Sequence, residues 1–120
     1  MPVVLDSVNK SIIVELVESP TNQPDYVVSY IDRTTSSLTE GSGDGTLADA
    51  TETTVVAAPS ASTYRTVRYL SIHNTETSSS ITVLVKLANS ANKRIIRKAV
   101  ILAGSTLVYH DHQWSMYNLA

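Results

Sequence analysis

Apolar and polar positions alternate along most of the chain, with short turn-forming clusters between the alternating runs. A period of two is the mark of a β-strand with one face turned inward. In SIIVELVES, Ile12, Val14 and Leu16 fall on one face, with Ile13, Glu15 and Val17 on the other. The run YVVSYI at 26–31 follows Pro24 and Asp25 and places Tyr26, Val28 and Tyr30 on a common side. SPTNQP between the runs is turn chemistry, so the pattern predicts a β-hairpin over 11–32.

Alternation lapses over RTTSSLTEGSGDGTLADATE at 33–52, which holds Gly41, Gly43 and Gly45 among small polar residues. Such a stretch offers little to bury and reads as a flexible connector. Beyond it the pattern predicts strands at 53–58, 65–74, 81–88, 93–102, 106–110 and 113–119, separated by turns such as PSAST, TETSSS, NSAN and AGS. The fold class that follows is all-β: an antiparallel β-sandwich or jelly-roll-like body with an N-terminal β-hairpin arm. The division is 1–35 for the arm, 36–51 for the connector and 52–120 for the body.

Several body strands are apolar on both faces, as at Val55 and Val56, Leu84 between Val83 and Val85, and Val100 beside Ile101 and Leu102. Either these strands are central in a tight two-sheet body or a partner covers the outer face. The hairpin poses the same choice, because an isolated two-stranded ribbon is marginal in water. It pairs with the body or with another subunit. The candidate interaction residues are therefore Ile12, Val14, Leu16, Tyr26, Val28, Tyr30 and Ile31, with Trp114 and Tyr117 on the closing strand. An arm of this kind would be removable, leaving residues 36–120 folded.

Composition narrows the function. Ser and Thr make 30 of the 120 residues, Phe and Cys are absent, and the net charge is −2. Without cysteine there is no disulfide framework, zinc–thiolate site or thiol nucleophile. A slightly acidic chain carries no electrostatic footprint for nucleic acid or an anionic membrane. MPVVLDSVNK lacks the basic start and long apolar run of a secretory signal, and no apolar run reaches the roughly 20 residues of a membrane-spanning helix. The absence of cysteine points to assembly inside a reducing cytoplasm.

Candidate chemistry is sparse. His110 and His112 would share a face of a strand and could ligate a metal, but no third ligand stands at a recognisable spacing, and a bend at Asp111 would break the pair. GSGDG at 41–45 has neither the preceding parallel strand nor the following helix of a phosphate loop. Asp25, Asp32, Asp44, Asp49 and Glu52 fall in turns or the connector, and Glu15 and Glu18 near the hairpin tip, where no acid–base pair is set in a cleft. Arg65, Arg68, Lys86, Arg94, Arg97 and Lys98 spread over three strands, which suits salt bridges at a subunit boundary better than a nucleic-acid groove. No catalytic residue, metal or cofactor is expected. Trp114 reads as core rather than as a sugar-stacking platform.

VVAAPSASTYR, YLSIHNTETSSSITVLVKL and RIIRKAVILAGSTLVY, closed by an aromatic strand with Trp114 and led in by DYVVSYIDRTT, resemble small virion proteins of tailed bacteriophages over about residues 25–120. Where such proteins end the penultimate loop on a glycine-rich turn, this chain has HDHQ. The resemblance implies a β-sandwich virion structural protein with neither substrate nor cofactor. The foremost expectation is a capsid decoration (cement) protein, a homo-oligomer such as a trimer, seated on the major capsid protein. A tail fibre, baseplate or adaptor component is the alternative, with an exposed aromatic patch at Tyr109, Trp114 and Tyr117. A ligand- or carbohydrate-binding β-sandwich is the third.

Overall fold

A computed structural model describes residues 3–118, which contain ten antiparallel strands and no helix. Two sheets pack face to face as a β-sandwich. The first contains β1 (Val3–Leu5), β3 (Asp25–Arg33), β4 (Leu38–Thr46), β6 (Tyr64–His73), β9 (Thr106–His110) and β10 (Gln113–Tyr117). Its order is β10-β9-β6-β3-β4, with β1 lying along β6 beyond the end of β9. The second contains β2 (Lys10–Leu16), β5 (Glu52–Val56), β7 (Ile81–Asn89) and β8 (Asn92–Ile101), in the order β5-β2-β7-β8.

Period-two patterning builds the core directly. Ile12, Val14, Leu16, Ile81, Val83, Val85 and Ile101 point inward from the second sheet, meeting Val28, Leu70, Ile72, Leu107 and Tyr109 from the first. Each is at most 3% exposed. Burying one such aliphatic side chain contributes about 1.5–3 kcal/mol, so strand faces of this kind fix which way each strand must turn.

The predicted hairpin does not form. β2 lies between β5 and β7, whereas β3 lies between β6 and β4 in the opposite sheet. Residues 17–24 arch from one sheet to the other. The reason is in the faces: the Ile12–Val14–Leu16 row and Val28 bury each other only from across the core, and side by side they would leave that core open. Strands central to each sheet thus come from the segment read as an arm.

The predicted connector holds a nine-residue strand. In β4, Gly41, Gly43 and Gly45 stand opposite Tyr30, Val28 and Tyr26 of β3. A Cβ placed on Gly45 would come within 2.8 Å of the Tyr26 hydroxyl, and one on Gly41 would overlap the Tyr30 ring. The glycines are the bed on which two aromatic rings lie, a device that rescues glycine-rich edge strands. The six strands predicted beyond residue 52 form within one or two residues of their expected bounds, and β1 was not predicted.

Candidate functional site

The sandwich places most of the predicted interaction residues out of reach. Ile12, Val14, Leu16 and Val28 are at most 1% exposed and belong to the core of this chain. Tyr26 and Tyr30 are half-buried over the β4 glycines. Trp114 turns inward against Tyr109, with ring centroids 5.1 Å apart, while Tyr109 is 2% exposed. Tyr117 alone of the predicted aromatic patch is exposed. Ile31 lies on the outer face between Glu40 and Thr66.

Tyr30 is clamped from its second side. The Arg65 guanidinium sits 4.0 Å from the ring centroid, and its Nε and Nη2 donate to Asp32 Oδ1 and Oδ2 at 2.8 and 2.9 Å. Its Nη1 donates to the Ala57 carbonyl at 2.8 Å, just past β5, so one side chain ties the two sheets together. Hydrogen bonds from Arg65 hold the Asp32 carboxyl below its ordinary range. This paired fork is structural, and Asp32 lies on β3 rather than in the turn or connector that the pattern predicts for it.

On the outer face of the second sheet, Lys86 Nζ bridges Glu15 at 2.5 Å and Glu52 at 3.0 Å, and Lys93 reaches Glu52 at 2.5 Å. The chain of charges touches all four strands of that sheet. Lys93 first, then Lys86, draws the Glu52 carboxyl below its usual value, and Glu15 first, then Glu52, raises the Lys86 ammonium.

His110 and His112 do not form a metal-binding pair. Asp111 and His112 occupy positive φ (50° and 68°) as the two-residue turn of the β9–β10 hairpin, the backbone that a type I′ turn demands. Among the described residues no three His, Cys, Asp or Glu side chains converge as metal ligands.

Two surfaces remain. One is an open groove of about 480 Å³ on the outer face of the first sheet, lined by Ser29, Ile31, Glu40, Ser42, Arg68, Tyr69 and His110 among others. Its ionisable groups are not paired with each other, although the Tyr69 and His110 rings meet edge to face at 6.0 Å. The alternating pattern gave no sign of this groove, because it depends on β4 being a strand.

The other surface is β8. It ends the second sheet with one free edge, ten residues long, and Ile95, Val100 and the following Leu102 are 54–57% exposed. Lys93, Arg94, Arg97 and Lys98 accompany them; charged side chains are a common guard on a free edge. No family model, curated protein or solved structure matches the chain.

Proposed function

We propose that the chain is a non-catalytic structural component of a tailed-phage virion, foremost a decoration protein that sits on the outer head lattice as an oligomer. The observation that carries this reading is the β8 surface: a long free sheet edge flanked by exposed apolar side chains is a docking element for another protein. The likeness of the sequence to small virion proteins supplies the setting. A β-sandwich also suits a part that adds rigidity to a lattice without chemistry of its own.

Immunogold labelling of intact particles of the source phage, viewed by negative-stain microscopy, tests the proposal. Label scattered over the head supports decoration. Label confined to the tail moves the protein to a tail component. Particles that take no label overturn the virion reading.

A further inference from the structure

The two sheets each end in a long free strand, and the two strands carry opposite charge. β8 holds four basic residues and no acid, whereas β4 holds Glu40 and Asp44 and no base. Among the described residues, Lys98, Glu40 and Asp44 have no ion-pair partner. β4 lies beside β5 and β8 beside β9, so the two edges are on opposite sides of the sandwich and cannot meet within one molecule.

We propose that the free edge of β8 in one copy of this chain pairs antiparallel with the free edge of β4 in the next. A single register satisfies the outer faces of both strands. With Val100 opposite Leu38, two of the most exposed apolar side chains (54% and 72%) cover each other, and Lys98 comes opposite Glu40. β8 carries one extra residue where its pairing with β7 shifts, between Ile95 and Arg97. Past that bulge the outer-face sequence resumes at Ile95, opposite Ser42, and at Lys93, which holds Glu52 within its own chain and here comes opposite Asp44 as well. Directly opposed unlike charges and apolar pairs each stabilise a sheet, and like charges destabilise it. The same rule disfavours β8 on β8, four bases against four, and β4 on β4. Charge therefore selects the unlike pair.

Joining two different edges is a head-to-tail contact, which generates a closed ring if the rotation closes and a filament if it does not. The idea deepens the proposal that the chain works as an oligomer, and its test is separate. A chain that decorates heads while remaining monomeric in solution would remove the edge pairing alone; a self-associating chain that labels no particle would remove the virion reading alone.

Sedimentation velocity on the purified full chain at low ionic strength reads the contact. The mass should rise with concentration in multiples of 13.0 kDa, and added salt should weaken the rise. Lys98→Glu and Glu40→Lys change exposed side chains, so folding is retained, which circular dichroism verifies. Each alone should weaken association about tenfold, and both together in one chain should restore it. A wild-type chain that stays monomeric overturns the proposal. So does a Glu40→Lys variant that associates as the wild type does, or a double variant no better than the singles.

Discussion

The ring of Tyr30 lies against Gly41 so closely that the glycine has no room for a side chain. Arg65 covers the other side of the ring at 4.0 Å, so the tyrosine cannot swing away. Gly41→Ala should therefore cost about 1–3 kcal/mol, the range for overpacking a fitted site. Gly45→Ala should cost less, because its Cβ meets the hydroxyl end of Tyr26, whose ring no arginine covers. Gly43→Ala meets Val28 Cγ2 at 3.5 Å, an ordinary contact, and should be neutral or slightly stabilising. Urea unfolding of the three variants checks the order.

Acid should loosen the clamp. The Asp32 carboxyl titrates below its unfolded value of 3.8 in the folded chain, so its contribution is complete above that value and is lost as pH falls through the lower, folded value. Asp32→Asn should cost about 1–2 kcal/mol at neutral pH and flatten the loss of stability between about pH 5 and pH 2. Urea midpoints measured across that range, for wild type and variant, report both effects. Unchanged pH dependence would mean that the Arg65 fork contributes nothing to stability.

Asn74 holds a buried corner. Fully buried, it donates through Nδ2 to the Ser79 and Ile101 carbonyls, both at 2.9 Å, and accepts from the Glu76 amide at 2.9 Å. Asn74→Ala strands those backbone groups and should cost about 3 kcal/mol or more. A thermal shift of only a degree or two would show that water replaces the side chain.

Removing residues 1–35 should unfold the protein. Among the described residues β2 is the sole partner of β5, and β3 is the sole partner of β4. Without them β6 and β7 also each lose a neighbour. A 36–120 fragment should give no dispersed amide spectrum by NMR; a folded fragment would contradict the interleaving of the two sheets.

The sequence and the structure agree where a strand shows its own face. Ile81, Val83 and Val85 announce β7, and Leu107 with Tyr109 announces the inner face of β9. Agreement fails where a strand depends on its neighbour. β4 has almost no apolar residue, and its stability comes from Tyr26 and Tyr30 on β3, which local pattern cannot register. The pairing of β2 with β7 rather than β3 is equally invisible, since alternation tells which face is buried but not which edge is joined. The same gap misplaced the candidate surface. Ile12, Val14 and Leu16 have the composition of an interface and were spent on the core, whereas Val100 and Leu38 stand outside.

The interleaving also sets a timetable for the growing chain. β2 finds one neighbour in β5, but its partner on the other side, β7, begins at Ile81, and β3 reaches across to β6 from Tyr64 onward. Pairings this distant in sequence are slow to close. On the ribosome β2 and β3 must wait, apolar faces uncovered, until β6 and β7 have emerged, so what is made early is completed only by strands made well after it.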